Sequence, residues 1–324
     1  MKLHNSNVLI IAPEFYNYHH ELVRSMNKLG ANVTFISEMN QSVLYRSLKN
    51  FSSKLKCYFE KIHIDKILSL SKSQDFDAVF IIRGGHLTPD IMRKLRLNNK
   101  EARFYMYQWD SYRQNDFRTI IPFFDVVSTF DTADATELNL DYQPLFYTDI
   151  YKDIALSKTK KEYDLVFYGA YHSDRLSIVK YFDDIFKKNG LIFKSHLYIR
   201  KIPLLIRLLK GEIKFKDLKF FKTYSVSSEE ISQSYAKAKA VLDVELSIQS
   251  GLSIRTFEVL GSGVKLVTTN KNISNESFYD PTQIKVINRN AIEMDLSFFA
   301  LDDNQIDITR YHVDNWLERM FSLT

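Results

Sequence analysis

Short apolar runs separated by helical patterns constrain the fold of this chain more than any other sequence feature. The first run, residues 7–12 (NVLIIA), lacks polar alternation, which predicts a strand covered on both faces. A helical pattern over 14–29 and a second strand over 32–37 complete a βαβ unit. The pattern restarts at residues 164–168 (DLVFY), followed by Gly169 and another helix. We therefore predict two α/β halves with mostly parallel sheets.

The length of the chain also fits two domains. It has 324 residues, of which 45% are hydrophobic, enough for a core in each half. The segment 148–161 is polar and rich in lysine, so we predict that it links an N-terminal domain (1–150) to a C-terminal domain (151–324).

Several classes of protein do not fit the sequence. No window approaches the roughly 18 uninterrupted apolar residues of a membrane span, and the first apolar run is too short for a signal peptide. The single cysteine, Cys57, allows no intrachain disulfide. The first turn, APEFYNYHH, lacks the G-x-G-x-x-G fingerprint of dinucleotide binding. The expected compartment is the cytoplasm.

The positive charge is concentrated in one segment. The whole chain carries +5, yet nine Lys or Arg residues stand against only two acidic residues between Lys194 and Lys222. Leucines at 204, 205, 208 and 209 lie among these basic residues. The segment 200–222 therefore predicts either an amphipathic helix at an anionic membrane surface or an ordinary solvated face. No nucleic-acid-binding motif is present.

Residues 249–270 (QSGLSIRTFEVLGSGVKLVTTN) carry the most chemical information. They predict a loop, a helix over about 254–260 and a buried strand over 264–269. Ser253 is placed to cap the helix, whose free amides and positive dipole end suit a phosphate. Arg255 and Glu258 share one helix face, where they could meet a diphosphate and a ribose diol. The alternative is an ordinary Arg–Glu pair.

Polar residues follow most of the predicted strands. Open α/β sheets bind ligands beyond the carboxyl ends of their strands, so this placement predicts a site between the two halves. The polar stretches are 83–86, 108–111, Asp131, 169–175 and 249–255.

Three segments, which follow one another along the chain as YQWDS, DLVFYGAYHSDR and SIRTFEVLGSGVKLVTTN, together resemble bacterial glycosyltransferases of the two-Rossmann-domain (GT-B) type. The block SIRTFEVLGSGVKLVTTN is similar to the R-x-F-E-x-x-x-x-G block of the CgeB-like group and of lipopolysaccharide and capsule glycosyltransferases. YQWDS resembles part of the N-terminal domain pattern, and DLVFYGAYHSDR resembles the start of the donor-binding domain. The resemblance covers roughly residues 102–270.

The resemblance implies two Rossmann-like domains facing a central cleft. A nucleotide sugar held by the C-terminal domain would donate its sugar to a glycan or lipid-linked glycan acceptor on the N-terminal side. The residues implied near the donor diphosphate are Gly169, His172, Arg175, Ser253 and Arg255, and Glu258 would bind the ribose. The nucleotide sugar acts as a co-substrate, so no further cofactor is implied. By analogy, the helix around Trp316 could return to the N-terminal domain.

An inverting transferase needs a general base near the acceptor hydroxyl. Asp110, after the fourth strand, is the first choice, and His86 is the second. Asp110 could instead cap a helix, and His86 could be a turn residue. Glu14, His19 and His20 are further candidates, and a retaining enzyme would need no such base.

No metal ligand is predicted. Residues 75–77 (DFD) match a D-x-D motif but precede a strand, at the sheet edge opposite to the predicted site.

Two other functions stay open. One is a nucleotide-sugar 2-epimerase of the same fold, and the other is a non-catalytic protein that binds nucleotides or glycans. A lipid-linked acceptor would suit a cytoplasmic enzyme with a peripheral contact to the inner membrane through 200–222.

Overall fold

A computed structural model of the chain describes residues 3–48, 52–157, 159–172, 174–246, 248–301 and 304–323. The chain forms two compact units. The first consists of Met1–Leu145, Ile248–Gly251 and Val313–Thr324, and the second of Phe146–Ser247 and Leu252–His312.

The predicted α/β fold class is confirmed by strands and helices that alternate along most of the chain. The strands are β1 (Asn7–Ala12), β2 (Asn32–Ser37), β3 (Ala78–Ile82), β4 (Arg103–Gln108), β5 (Val126–Thr129), β6 (Asp141–Tyr142), β7 (Tyr163–Ala170), β8 (Phe193–Tyr198), β9 (Phe221–Lys222), β10 (Ala238–Asp243), β11 (Lys265–Thr268) and β12 (Ile284–Val286). The α-helices are α1 (Tyr18–Lys28), α2 (Val43–Leu48), α3 (Ser53–Leu70), α4 (Pro89–Asn98), α5 (Thr132–Leu138), α6 (Asp149–Ala155), α7 (Arg175–Lys188), α8 (Lys201–Leu209), α9 (Ser228–Ala236), α10 (Ile254–Gly261) and α11 (Val313–Ser322).

Each unit contains one six-stranded sheet in which the paired strands are parallel. The orders are β2-β1-β3-β4-β5-β6 and β12-β11-β10-β7-β8-β9. Strands such as β3 are buried along their whole length, because helices cover both faces of a parallel sheet. Strand order changes direction between β1 and β3 in one sheet and between β7 and β10 in the other.

Helix α11 belongs to the first unit although it ends the chain. Trp316 is fully buried there, and its Nε1 donates to the Pro144 carbonyl at 2.8 Å. Its ring meets Tyr107 edge-on, with 4.7 Å between ring centroids. The side chain of Gln143 donates to the Trp316 carbonyl at 3.1 Å. These contacts secure the helix beside the sheet.

The predicted linker over 148–161 is wrong for its first half. Residues 149–155 form α6, which packs against α9 and α10 in the second unit. Tyr151 is buried, and its ring centroid lies 6.0 Å from that of Tyr235. The polar composition of this stretch obscures its helical pattern in the sequence. Tyr151 and Ile154 lie three residues apart and share one helix face. Across the described ranges, no helix combines the length and apolarity needed to cross a bilayer.

Candidate functional site

The second sheet changes strand order between β7 and β10, which are neighbours although distant in sequence. Open α/β sheets bind ligands at such a point, beyond the carboxyl ends of the strands. Gly169 lies near the carboxyl end of β7, and Ser253 starts the helix that follows β10. The structure thus places two of the predicted donor-side segments at one edge of this sheet.

Arg175 connects the ends of these two strands. It is buried at the start of α7, and it donates from Nε to the Val244 carbonyl at 3.0 Å and from Nη1 to the Ala170 carbonyl at 2.9 Å. Gly169 leaves room for it, since a Cβ there would lie 3.0 Å from Nη1 of Arg175 and 2.8 Å from the Phe167 ring. These donors are committed to main-chain carbonyls, and the predicted diphosphate contact of Arg175 stays a prediction.

His172 is half-buried between β7 and α7. Burial, together with the charges of Arg175 and Arg289, lowers the pKa of His172 to about 4, against the opposing charge of Asp174. The imidazole is therefore neutral at pH 7. It can offer a phosphate a hydrogen bond but no positive charge.

We expect the free energy of unfolding to fall as the pH is lowered from 6.5 towards about 4. The native state holds His172 neutral through this window, whereas the unfolded chain takes up a proton near pH 6.5. The unfolded state therefore binds more protons, so this residue makes stability rise with pH. Urea unfolding at a series of pH values measures the slope. His172→Gln should reduce it, and a slope in this variant equal to that of the wild type would contradict the assignment.

Asp243, the last residue of β10, gathers the start of α10. It is 1% exposed, and its carboxylate accepts from Ser253 Oγ at 2.5 Å and from Thr256 Oγ1 at 3.3 Å. Ser253 occupies the N-cap position, but the expected side-chain cap is wrong, because the hydroxyl donates to Asp243 instead. The first-turn amides of α10 are therefore not capped by this side chain.

Arg255 keeps its positive charge in a largely buried position. Its Nη1 lies 3.4 Å from Asp243, and its Nε lies 3.3 Å from the Tyr235 hydroxyl. Burial acts against the charge, but Tyr235, Asp243 and Glu258 outweigh it and raise the pKa of Arg255. Glu258, three residues later on α10, is buried. The charges of Arg255 and Glu258 interact, as their spacing predicts.

Arg289 and Glu245, neither of which is predicted from the sequence, extend this charged cluster. Arg289 follows β12, and its Nη2 donates to the Glu245 carbonyl at 2.5 Å and lies 3.1 Å from Glu245 Oε1. Its Nε lies 3.2 Å from Asp174 Oδ2. Burial raises the pKa of Glu245, against the Thr269 hydroxyl and the Arg289 charge. Glu245 follows the end of β10 by two residues and Arg289 follows the end of β12 by three. The sequence predicts a strand that continues to residue 246 and includes Glu245, so only Arg289 could have been found by selecting polar residues beyond strand ends.

In the first unit, Asp110 lies beside Arg83. Arg83 Nε is 3.1 Å from Asp110 Oδ2, and Arg83 Nη1 is 2.5 Å from the fully buried Glu38. Arg83 has a left-handed backbone, with φ of 71°, and its carbonyl accepts from Gln108 at 2.8 Å and from Asn115 at 3.2 Å. Burial raises the pKa of Asp110, against the opposing charge of Arg83. Asp110 thus sits in an ion-pair network, at 32% exposure.

His86 lies nearby on the same loop. It lines a small cavity of about 70 Å³ together with Glu38, Glu60 and His63. Burial lowers the pKa of His86, against the charge of Glu60. Asp110 and His86 therefore both border Glu38, one through Arg83 and the other through this cavity.

Asp131 caps α5 by accepting from the amides of Ala133 and Asp134, each at 3.1 Å. It also holds the loop of the 249–270 motif in the first unit. Its carboxylate accepts from the Ser250 amide at 2.7 Å, the Ser250 hydroxyl at 2.6 Å and the Gly251 amide at 3.2 Å. The sequence could not show this second role, since the partners are 119 and 120 residues apart.

No family model and none of the curated proteins matches the chain. Solved structures do match it over nearly its whole length. The UDP-GlcNAc 2-epimerase from Methanocaldococcus jannaschii has a TM-score of 0.54 at 11% identity, covering 97% of this chain and 98% of that one. A glycosyltransferase from Rickettsia africae gives 0.52 at 11% identity, with coverages of 98% and 88%.

The catalytic domain of starch synthase IV from Arabidopsis thaliana, bound to ADP and acarbose, gives a TM-score of 0.54 at 9% identity, with coverages of 99% and 96%. The fold is of the GT-B type. Identities this low show the GT-B fold alone, and the fold holds both a glycosyltransferase and an epimerase in this comparison. The resemblance to the CgeB-like group stays a prediction.

Proposed function

We propose that this chain is a glycosyltransferase that moves a sugar from a nucleotide-sugar donor to a surface-glycan acceptor. The observation that carries the proposal is the charged cluster at the carboxyl ends of β7 and β10. Arg255 is kept cationic there, beside a helix start whose first amides are not capped by Ser253. A departing nucleoside diphosphate needs such groups, because negative charge builds on the leaving oxygen during transfer.

Five of the six predicted donor-side residues have a direct role in this proposal, and Arg175 joins the strand ends that present them. Arg255 and the first amides of α10 bind the diphosphate. Gly169 has no side chain, so it lets the neighbouring groups approach the diphosphate closely. His172 donates a hydrogen bond as a neutral imidazole, and Ser253 positions the loop through Asp243. Glu258 accepts hydrogen bonds from the ribose. Side-chain cations supply the positive charge, so the proposal includes no metal ligand.

Asp110 is the general base in this proposal. Burial raises the pKa of its carboxyl, which strengthens it as a base. The Arg83 side chain, 3.1 Å away, holds its orientation. His86 is the second candidate, since its lowered pKa leaves the imidazole neutral and able to accept a proton. A transfer that retains configuration would use neither residue as a base.

The finer assignment rests on the R-x-F-E block. Its resemblance to lipopolysaccharide and capsule glycosyltransferases supports a glycan or lipid-linked glycan as acceptor. Such an enzyme would work in the cytoplasm and touch the inner membrane through 200–222.

The second candidate function is a nucleotide-sugar 2-epimerase. It is favoured by the epimerase of Methanocaldococcus jannaschii, which shares the fold at a TM-score of 0.54. Incubation with the donor alone separates the two functions, because an epimerase converts the nucleotide sugar without an acceptor. A protein that binds nucleotides or glycans without catalysis would convert nothing in either assay.

We expect one nucleoside diphosphate to stabilise the protein against heat. A ligand at 100 times its Kd stabilises the native state by about 2.7 kcal/mol, which raises the Tm of a domain this size by roughly 5–10 °C. A panel of UDP, ADP, GDP and their sugars, scanned by differential scanning fluorimetry, measures the shift. Matched monophosphates serve as controls for the diphosphate contact. A flat response to the whole panel would count against the proposal.

A further inference from the structure

Helix α8 presents an unpartnered apolar row to solvent. Ile202, Leu205, Ile206 and Leu209 recur at the spacing of one helix face and are 73%, 58%, 46% and 80% exposed. Phe215, at the start of the 3-10 helix that follows α8, is 79% exposed. Single exposed apolar residues are common, but a continuous row of this kind marks an interaction surface.

The orientation of α8 is set by its opposite face. Leu204 and Leu208, four residues apart, pack against the core of the second unit. The Arg207 guanidinium lies 5.2 Å from the centre of the Tyr171 ring and pairs with Glu212 at 2.5 Å. In the sequence, all four leucines at 204, 205, 208 and 209 lie among the basic residues of this segment. The structure divides them, because only Leu205 and Leu209 face outwards.

Exposed basic residues surround the outward row. They are Arg200, Lys201, Lys210, Lys214 and Lys216. Within the described part of the chain, none of these five forms an ion pair. The two acidic residues of the segment are already engaged, since Glu212 pairs with Arg207 and Asp217 is buried and pairs with Lys180 at 2.8 Å. The local charge is therefore left uncompensated.

We infer that this α8 face, the outward row with Phe215 and the five basic residues, docks on an anionic phospholipid bilayer. The apolar row would enter the boundary between headgroups and acyl chains, while the basic residues meet the lipid phosphates. A second copy of the chain fits less well, because pairing two α8 faces would bring two sets of unpaired positive charges together. A solvated face would be polar, which the outward row is not.

The docking itself does not depend on the proposed function, but the biological reason given for it rests on that function. Docking would place the enzyme where a lipid-linked acceptor is held. The α8 face lies on the unit that carries the charged cluster, but its residues are separate from that cluster. Vesicle binding and nucleotide binding can therefore fail independently, and each assay tests its own proposal.

The test is co-sedimentation of the full chain with vesicles. We expect binding to vesicles of phosphatidylglycerol and phosphatidylethanolamine, and at least about tenfold weaker binding to phosphatidylcholine vesicles. Leu205→Ser with Leu209→Ser should weaken binding to the anionic vesicles more than about tenfold, since each leucine loses its burial in lipid. Lys210→Glu with Lys214→Glu should weaken it similarly and reduce its salt dependence.

Helix α6 offers matched controls in the same unit. Leu156 is 76% exposed and Lys152 is exposed, so Leu156→Ser and Lys152→Glu should leave vesicle binding unchanged. All substituted side chains are exposed, and circular dichroism verifies that the variants are folded. Equal binding of the wild type and the double-serine variant would overturn the inference. The inference would also be overturned if analytical ultracentrifugation showed that the double-serine variant loses a dimer while its binding to vesicles is unchanged.

Discussion

Replacing Glu258 with glutamine should weaken nucleoside diphosphate binding about 100-fold or more. A hydrogen bond to a charged group contributes about 1.5–3 kcal/mol, and a ribose diol can make two of them to one carboxylate. Glutamine is chosen because it removes the charge but keeps the size of the side chain. Glu258 is buried on α10, where a change of shape would disturb the packing and confound the result. Isothermal titration calorimetry with the nucleotide that gives the largest thermal shift measures the loss.

The control for this variant is Glu293→Gln, an exposed glutamate of the same unit. A nucleotide that lacks both ribose hydroxyls adds a second check. The wild type should bind it as weakly as Glu258→Gln binds the natural nucleotide, and the variant should no longer distinguish the two ligands. Unchanged affinity in Glu258→Gln would remove the donor-site assignment.

Replacing Trp316 with alanine should lower the free energy of unfolding of the first unit by about 3–5 kcal/mol. The ring is fully buried, so its removal leaves a cavity beside Tyr107. The Pro144 carbonyl would also lose the indole N–H that it accepts at 2.8 Å. Urea unfolding followed by circular dichroism measures the change, and the first unit should unfold before the second.

The other tryptophan provides the control. Trp109 is only half-buried, so Trp109→Ala should cost no more than about 1–2 kcal/mol. Each variant also leaves a single tryptophan, whose fluorescence reports on one location. If the two substitutions destabilised the protein equally, the packing of α11 described above would be wrong.

The main strands and helices could be predicted from sequence because their signals are local. Continuous apolar runs marked β1 and β7, and the helix of the 249–270 motif was expected at 254–260 and observed at Ile254–Gly261. Parallel strands need crossovers, so the alternation of strands and helices was enough for the fold class. Gly169 and Arg255 were selected as candidates for a similar reason, since each comes after an apolar run that predicts a strand.

The contacts of the site could not be predicted, because they depend on which strands become neighbours. Arg175 meets Val244 only because β7 and β10 lie side by side. Arg83 meets Glu38 across 45 residues, which no periodicity records. Ser253 is a residue type that often caps helices, but its hydroxyl donates to the carboxylate of Asp243, ten residues earlier. Long-range partners overrode the local preference in that case.

The position of α11 has a consequence for the making of the protein. During synthesis, β1 to β6 leave the ribosome first. The Pro144 carbonyl can accept its hydrogen bond only after Trp316, 172 residues further along the chain, has also emerged. At ordinary elongation rates this gap lasts on the order of ten seconds or more. Throughout it the nascent sheet exposes Phe80 and Tyr105, which Phe321 of α11 will later cover. The first unit therefore cannot complete its core until α11 has been synthesised.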